Sequence, residues 1–347
     1  MSFKGFQRAK RENIGLIVSI AGGTGSGKTF SAMRLAAGIV GPGKPFAVID
    51  TEAGRAKHYA DRFVFDHGDL SAPFRPEAYA DAIKAADDAG YGAIVIDSMS
   101  HEWAGEGGVL DWHDEDLDAM VESKQKFFAE KGWRFDEETQ RKALGTQAWI
   151  KPKMEHKRMV QRLLQVRAHL IICLRAEEKM LIQEIDDPDR AGKKKTVFVQ
   201  AKDRLLKDRW VPICDKLFPY EMTASFVMTN DDPGAPIPVK LQEQHRAIFD
   251  VAKIDEDTGR RLAAWASGAD RLTDEQIAEQ IAAVEPLIAG LTTPDAVRTW
   301  WAGHQKTLDE AVKPAILKLC TERANALKAA ANTETNNDNS NNEKEAA

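Results

Sequence analysis

Short apolar runs alternate with amphipathic segments over the first half of the chain. A β-branched run spans 14–20, and further apolar runs span Phe46–Ile49, Ala93–Ile96 and His169–Leu174. The segment Met154–Val166, just before the last of these runs, has its apolar residues on one helical face. Because strands that alternate with helices form parallel β–α–β units, this pattern predicts an α/β fold with helices on both faces of a largely parallel sheet.

The pattern changes after the last of these runs, where strand-like segments follow one another without helices between them. Met180–Ile185 and Thr196–Gln200 are typical of a hairpin with a charged tip. Thr223–Thr229 and Ile237–Leu241 are typical of a second hairpin. Strands joined by short turns pair antiparallel, so we expect both hairpins to extend the edge of the sheet.

Helical periodicity dominates from about residue 241 onward. Residues 104–147 are polar and lie between two core segments, which indicates an insertion. The tail is rich in Asn and Glu and has no apolar pattern, which predicts disorder. The expected organisation is a basic N-terminal arm over 1–12, a core over 13–240, a helical extension over 241–270, a small C-terminal helical module over 271–330 and a disordered tail over 331–347.

Composition narrows the class of protein. The 347 residues are 43% hydrophobic and 29% charged, as in ordinary globular proteins. The formal net charge of -6 excludes a uniformly basic nucleic-acid-binding protein, so any contact with DNA must use a local basic patch. No apolar run approaches the roughly 18 residues that a membrane helix needs. The cysteines are far apart and form no CxxC motif, which argues against a disulfide framework or a Cys-based zinc site; we expect a cytoplasmic protein with no membrane partner.

A phosphate-binding motif lies between the first predicted strand and a predicted helix. Residues 22–29, GGTGSGKT, match the pattern GxxxxGKS/T in full. In such a loop the backbone N–H groups surround phosphate oxygens, the lysine contacts the β- and γ-phosphates, and the final hydroxyl binds Mg²⁺. We therefore expect ATP and Mg²⁺ to bind here. The residues expected to bind them are Gly22, Gly23, Thr24, Gly25, Ser26, Gly27, Lys28, Thr29 and Phe30.

Two carboxylates at strand ends complete the predicted site. Asp97 ends the apolar run Ala93–Ile96, where it would hold Mg²⁺ together with Thr29. The residue after Asp97 is Ser98 rather than a glutamate, so the base for hydrolysis must come from elsewhere. Glu52 follows the preceding predicted strand and is the natural candidate; the alternative is that Glu52 is a solvated loop carboxylate.

With these residues in place, the sequence resembles the core of RecA and of the archaeal recombinases. The resemblance rests on three segments. They are VIDTEAGR at the end of the second predicted strand, IVIDS around Asp97, and HLIICLR at the last core strand. It implies a RecA-like P-loop NTPase fold in which Glu52 activates water. It also implies that Arg175 takes the γ-phosphate sensor position, where the family usually carries glutamine. Lys28, Glu52 and Arg175 are then the expected catalytic residues.

A closer resemblance, from Gly22 to about Trp265, is to phage-encoded RecA-like nucleotide-binding ATPases. The segments DSMSHEW, PICDKLFPYEMTASF and PIPVKLQEQHR carry it. These ATPases are linked to single-strand annealing and recombination. The resemblance therefore implies DNA-stimulated ATP hydrolysis, single-stranded DNA as a ligand, a homo-oligomeric ring or filament, and phage recombination or replication proteins as partners. A helicase-type DNA motor and a nucleotide-gated scaffold with little turnover are the alternatives.

Two basic segments are candidates for the DNA contact. One comprises Lys193, Lys194 and Lys195 at the tip of the first predicted hairpin. The other comprises Lys151, Lys153 and Lys157, beside Trp149, whose ring would stack on bases. For each segment the alternative is a solvated or ion-paired surface with no ligand.

Three further sets of polar residues lie outside the motifs described above. The acidic residues of 111–118 fall around a helix, so few of them can converge on one ion, and we predict no metal site there. His101, four residues after Asp97, is expected to have a structural role; the alternative is that it reaches the nucleotide. The resemblance to RecA also implies that a basic residue of one subunit completes the active site of its neighbour; the candidates are Lys179, Lys202, Arg204, Lys207 and Arg209.

Overall fold

A computed structural model gives the fold of the chain. The structure describes Gly5 and residues 15–186, 194–200, 205–268, 274–305, 307–308 and 312–342. The chain divides into two compact units, Met1–Gly268 and Ala269–Ala347.

The first unit contains every described strand and most of the described helices. Its strands are β1 (Ile17–Gly22), β2 (Phe46–Asp50), β3 (Phe65–Asp69), β4 (Ala93–Asp97), β5 (His169–Glu178), β6 (Met180–Asp186), β7 (Lys194–Gln200), β8 (Trp210–Pro212), β9 (Ala224–Met228) and β10 (Ile237–Leu241). Its helices are α1 (Lys28–Val40), α2 (Pro76–Asp88), α3 (Ser100–Ala104), α4 (Val109–Glu130), α5 (Glu137–Ala148), α6 (Ile150–Leu163), α7 (Leu206–Arg209), α8 (Phe218–Glu221), α9 (Glu243–Phe249) and α10 (Glu256–Ser267), with a 3₁₀ helix over Arg55–Tyr59.

The main sheet has eight strands in the order β10–β9–β1–β5–β4–β2–β3, with β8 paired to β5 off this path. All neighbours in that order are parallel except β10, which runs antiparallel to β9 at the edge. The predicted fold class, a largely parallel sheet flanked by helices with antiparallel strands at its edge, is confirmed. Because parallel strands end on one side of a sheet, the carboxyl ends of β1, β2, β4 and β5 meet at a single edge.

Two buried layers sandwich this sheet, because its central strands are apolar on both faces. On one face, Val18 and Ile20 of β1 pack toward Met33 and Leu35 of α1. On the other face, Tyr79 of α2 and Met159 of α6 belong to the cluster that includes Ile17 and Ala21 of β1. The strands that carry the ends of the site are therefore fixed by packing from both sides.

Helix α10 packs against α1 at very close range. A Cβ atom at Gly259 would lie 2.3 Å from the carbonyl oxygen of Leu35, and one at Gly38 would lie 2.1 Å from the carbonyl oxygen of Glu256. Arg34 also donates a hydrogen bond to Glu256 at 2.9 Å. The predicted helical extension over 241–270 thus contributes α9 and α10 to the first compact unit rather than standing apart from it.

The structure differs from the sequence-based prediction at the first hairpin. β6 and β7 do pair antiparallel, but they form a separate two-stranded sheet instead of extending the main one. The physical reason is that β5, from which the hairpin leaves, lies between β1 and β4. The end of β5 that extends past these neighbours, Ala176–Glu178, pairs with β8 instead. The strand β3 was not predicted, because its sequence FDHGD is polar and half exposed at the edge of the sheet.

The insertion predicted over 104–147 is helical. α4 and α5 form it, and α6 continues the chain back toward β5. Arg141 of α5 forms ion pairs with Asp118 of α4 and with Glu137 in its own helix, and Val121 is buried in α4. The insertion is polar because α4 and α5 expose most of their surface to solvent.

The second unit consists of helices α11 (Asp274–Ala289), α12 (Pro294–His304) and α13 (Lys313–Asn342). Thr293 caps α12 by accepting a hydrogen bond from the backbone N–H of Ala296 at 3.2 Å. The sequence predicts a disordered tail from residue 331, whereas in the structure α13 continues as a helix as far as Asn342. The buried core of this unit contains Ile288, Val297, Val312, Ile316 and Cys320.

In the part of the chain that the structure describes, no helix combines the length and the apolar character that crossing a membrane requires.

Candidate functional site

The glycine-rich loop connects the end of β1 to the start of α1. Gly25 and Gly27 have φ angles of 81° and 83°, a region that glycine adopts at no steric cost. A Cβ atom at Gly22 would lie 2.6 Å from the carbonyl oxygen of Met228. A Cβ atom at Gly27 would lie 2.9 Å from the nitrogen of Gly234, so the loop is pressed against the segment between β9 and β10. Glycine is therefore required by backbone angle at Gly25, by space at Gly22 and by both at Gly27.

The next residues place a cation and a hydroxyl at the mouth of this loop. Lys28 is the first residue of α1, and its Nζ lies 3.3 Å from the carbonyl oxygen of Gly23. Thr29 donates a hydrogen bond from Oγ1 to Oδ2 of Asp97 at 2.8 Å. The amino end of α1 faces the same loop, so the helix dipole adds to the positive potential there. The arrangement is an anion site with a carboxylate beside it.

Asp97 lies at the carboxyl end of β4 and is buried. Burial raises its pKa, while the Thr29 hydrogen bond and the charge of Lys28 act in the opposite direction. The peptide bond between Asp97 and Ser98 is cis. The Thr29 hydroxyl and the Asp97 carboxylate are hard oxygen donors, which is the donor set that Mg²⁺ accepts alongside phosphate oxygens.

The described residues contain no cluster of three or more His, Cys, Asp or Glu side chains suited to a metal ion. A divalent ion at Thr29 and Asp97 would therefore complete its coordination with water and with oxygens of the nucleotide.

Asp50 holds the turn that carries Glu52. One oxygen of its buried carboxylate accepts the backbone N–H of Glu52 at 2.6 Å. The other accepts the backbone N–H of Ala56 at 2.9 Å and lies 3.1 Å from Nε2 of His67. Because β2 and β4 are neighbours, this turn places Glu52 on the same side of the sheet as Asp97. These hydrogen bonds to Asp50, here called the Asp50 clamp, fix the backbone position of Glu52.

Glu52 forms an ion pair with Arg175 across the ends of β2 and β5. The distance from Nη2 of Arg175 to Oε1 of Glu52 is 2.7 Å, and the Glu52 side chain is only 10% exposed. Burial by itself raises the pKa of Glu52, but the hydrogen bond and charge of Arg175, with smaller effects of His101 and Arg55, lower it below its usual range. Glu52 is therefore an ionised carboxylate near neutral pH.

These groups line one cleft of about 890 Å³. Phe30 lines it as well, with its ring 5.9 Å from that of Tyr59 and under the guanidinium of Arg62 at 4.6 Å. The predicted nucleotide-binding and catalytic residues therefore lie together, apart from Ser26, which is buried in the loop and bonds to Gly23. The lining consists of Gly22, Gly23, Thr24, Gly25, Gly27, Lys28, Thr29, Phe30, Glu52, Arg55, His58, Tyr59, Asp97, Arg175, Ala176, Glu177 and Ile213.

Several residues of the site had no recognisable signal in the sequence. Trp210, at the start of β8, packs on the glycine-rich loop, since a Cβ atom at Gly23 would lie 3.0 Å from its ring. The turn between β9 and β10 supports the same loop, with Gly234 donating to the carbonyl of Ser26 at 3.0 Å. Both contacts depend on β8 and β9 lying beside β5 and β1, which the linear sequence does not reveal.

The predicted DNA-binding lysines of α6 lie on an exposed surface. Lys153 lies 5.1 Å from the ring centre of Trp149, and Lys151 lies 5.1 Å from that of Trp112. Trp149, which the sequence predicts to stack on bases, has His113 stacked on its ring at 4.2 Å and Trp103 nearly parallel to it at 6.2 Å. The nearby aromatic rings are thus engaged within the protein.

The other predicted basic groups are only partly described. Lys193 lies outside the described residues, as do Lys202 and Arg204, and Lys194 lies 3.7 Å from a carboxylate oxygen of Glu184 across the hairpin. Arg209 pairs with Glu178 at the base of that hairpin. Arg209 is therefore engaged within its own chain.

Comparison with known proteins identifies the family of the chain. Residues 14–229, more than half of the chain, match AAA_24, an AAA domain. No curated protein matches the sequence. Among solved structures, the chain is similar to a KaiC-like protein from the hyperthermophilic archaeon Pyrococcus horikoshii, at 14% identity and a TM-score of 0.25, covering 56% of this chain and 88% of that one. The protein belongs to the AAA_24 family of AAA domains.

Proposed function

We propose that this protein binds ATP with Mg²⁺ and hydrolyses it, and that single-stranded DNA binding is coupled to this reaction. The observation that carries the proposal is the meeting of Lys28, Thr29, Asp97 and Glu52 around one cleft. Each comes from a different strand end or from the helix after the loop, and each supplies a group that phosphoryl transfer to water requires. Membership of the AAA_24 family supports nucleotide hydrolysis at this cleft.

The chain's own residues divide the work of the reaction. The loop N–H groups and Lys28 neutralise phosphate charge. Thr29 and Asp97 would hold Mg²⁺, which when bound would supply electrostatic stabilisation of the phosphates. Glu52 accepts a proton from the attacking water, because it is ionised and lies in the same cleft. Arg175 is 45% exposed, so its guanidinium has room to turn from Glu52 toward a bound phosphate.

The face of α6 is the proposed DNA contact. Lys151, Lys153 and Lys157 are exposed, and among the described residues none of them forms a salt bridge. Exposed lysines that lack acidic partners are suited to replace counterions on phosphates. In a chain of net charge -6, such a local group is what a polyanion would select.

A buried pair connects this face to the nucleotide site. Glu102 of α3 and His156 of α6 lie 2.9 Å apart, from Oε1 to Nδ1, and both side chains are buried. Helix α3 begins three residues after Asp97, so a rigid path joins the end of β4 to the exposed lysines. This path supports DNA-dependent turnover. A role of the homo-oligomeric protein in phage recombination or single-strand annealing follows from the resemblance and is the output that we propose.

The test is ATP turnover with and without single-stranded DNA. We expect measurable turnover that increases when single-stranded DNA is added, and loss of it in Glu52→Gln, which also excludes a contaminating ATPase. ATP binding without turnover would favour the scaffold alternative, and ATP-dependent strand displacement would favour a helicase-type motor. A chain that does not bind ATP would overturn the proposal.

A further inference from the structure

The hydroxyl of Thr51 is the meeting point of two strand ends. It accepts the backbone N–H of Ser98 at 2.9 Å, and it lies 3.0 Å from the carbonyl oxygen of the same residue. It also lies 2.7 Å from Nδ1 of His101. Thr51 and Ser98 are buried, and they adjoin Glu52 and Asp97 in the chain. The geometry of this hydroxyl therefore sets the catalytic turn after β2 against the end of β4.

His101 supplies one of the hydrogen-bond partners of the Thr51 hydroxyl. A hydroxyl has one proton to donate and two lone pairs to accept with, and one lone pair of Thr51 is used by the Ser98 N–H. If the Thr51 proton goes to the carbonyl of Ser98, His101 must donate from Nδ1; otherwise Thr51 donates to Nδ1. Tyr79 donates to the Ser98 carbonyl at 3.1 Å, so that acceptor has a partner in either case. In both arrangements His101 completes the hydrogen bonding of Thr51.

The His101 ring is held in place by its surroundings. It stacks on Phe74 with ring centres 5.0 Å apart. A Cβ atom at Gly105 would lie 2.7 Å from Cβ of His101, so α3 turns closely around this residue. The pKa of His101 is lowered by burial and by the charge of Arg175, so the ring is neutral and can serve as either donor or acceptor. A ring that is fixed in this way can fix Thr51 in turn.

We propose that His101 is a positioning residue for Glu52. By completing the hydrogen bonding of Thr51, it fixes the backbone immediately before Glu52 relative to Ser98 and so relative to Asp97. This inference rests on the proposed ATP hydrolysis, because positioning matters where Glu52 must orient water. Asp50 anchors the other end of the same turn, through Ala56, so His101 and Asp50 hold Glu52 from two sides.

The test uses substitutions that place an amide at one or the other ring nitrogen. His101→Asn restores a group at the position of Nδ1, and His101→Gln places it at the position of Nε2. Because misplacing a catalytic group by about 1 Å costs on the order of 10²-fold, we expect His101→Ala and His101→Gln to lower kcat by about 10- to 100-fold. We expect His101→Asn to stay within about 3-fold of the parent, and the Kd for ATP to change little in all three.

A second readout does not depend on activity. Amide hydrogen exchange over residues 50–56 should be faster in His101→Ala and unchanged in His101→Asn. Thr51→Val should reproduce the loss, Thr51→Ser should largely retain function, and the double variant Thr51→Val with His101→Ala should be no worse than either alone. Parent-like kcat and exchange in His101→Ala would overturn the inference. A parent chain without turnover would overturn the proposed function, and the exchange data would then decide the role of His101.

Discussion

Arg175 donates hydrogen bonds to a single oxygen of Glu52 through both Nε and Nη2, at 2.9 and 2.7 Å. The second carboxylate oxygen of Glu52 lies 3.3 Å from Arg55, whose side chain is 69% exposed. Because solvent screens exposed ion pairs, the charge state of Glu52 depends mainly on Arg175. A residue of β5 thus controls the acidity of a residue that follows β2.

This pair predicts a change in the pH dependence of hydrolysis. In Arg175→Gln, burial still raises the pKa of Glu52 but its largest opposing partner is gone, so the pKa should rise. Glu52 must be ionised to accept a proton, and the acid limb of kcat/KM should therefore move to higher pH. Profiles of the parent and the variant measure this. Arg55→Gln is the control, with a smaller expected shift, and identical acid limbs in the parent and Arg175→Gln would contradict the prediction.

Lys28 should be essential for nucleotide binding. It is the lysine that lines the glycine-rich loop, and its removal leaves the phosphates without that fixed charge. Lys28→Ala should lose most ATP binding and turnover, as measured by calorimetry and phosphate release. Lys44→Ala removes an exposed lysine from the turn after α1 and serves as the matched control. Full activity in Lys28→Ala would show that the cleft is not the ATP site.

Glu52→Gln should separate binding from chemistry. Glutamine keeps the shape of the side chain but cannot accept the proton of water, so turnover should fall by about 10²-fold or more. The affinity for ATP should remain close to that of the parent, because the phosphates are held by the loop. Single-turnover hydrolysis and equilibrium binding give the two quantities. A loss of affinity with unchanged hydrolysis per bound ATP would assign Glu52 to metal binding or structure instead.

The α6 lysines make a prediction about salt dependence. A triple variant with Ala at Lys151, Lys153 and Lys157 should bind single-stranded DNA more weakly. The slope of log affinity against log salt should flatten by about 2 units, because each lost phosphate contact removes about 0.7. The control triple Lys84, Lys126 and Lys142 changes the net charge equally, but each of these lysines pairs with an acid four residues away. Equal losses in both triples would mean that net charge, rather than this face, governs binding.

The crossing of α1 and α10 predicts a large difference between two glycine substitutions. Gly259→Ala puts a methyl group 2.3 Å from a backbone oxygen of α1, so the free energy of unfolding should fall by about 1–3 kcal/mol. Gly145→Ala, in the exposed helix α5, meets no atom within 4 Å. It should raise the free energy of unfolding by about 0.5–1 kcal/mol through helix propensity. Urea denaturation of both variants checks the contrast.

The residues that sequence analysis identified share a simple property. Gly22–Thr29 is contiguous, so its pattern is complete in the sequence itself. Asp97 and Glu52 end apolar runs, and parallel strands bring such ends to one edge whatever their order. The site groups that could be predicted are therefore those that depend on strand direction and not on which strands are neighbours.

The features that were missed depend on strand order and on single contacts. Trp210 reaches the glycine-rich loop because β8 pairs with β5, and Gly234 reaches it because β9 lies beside β1. The clamp of Asp50 on Ala56 follows from the exact turn of the backbone, which residue types alone do not specify. The misplaced hairpin has the same origin, because only the strand order shows that β5 is central.

β5 and β8 form an antiparallel pair, with Glu178 opposite Trp210 at the end from which the β6–β7 hairpin leaves. β5 carries Arg175, which forms an ion pair with Glu52. β8 begins with Trp210, whose ring packs against Gly23. The two strands at the base of the hairpin therefore each contact the site, one at the catalytic carboxylate and the other at the glycine-rich loop. Because β5 runs into the hairpin and β8 follows it in the chain, we expect changes at the base of the hairpin to affect ATP binding and hydrolysis together.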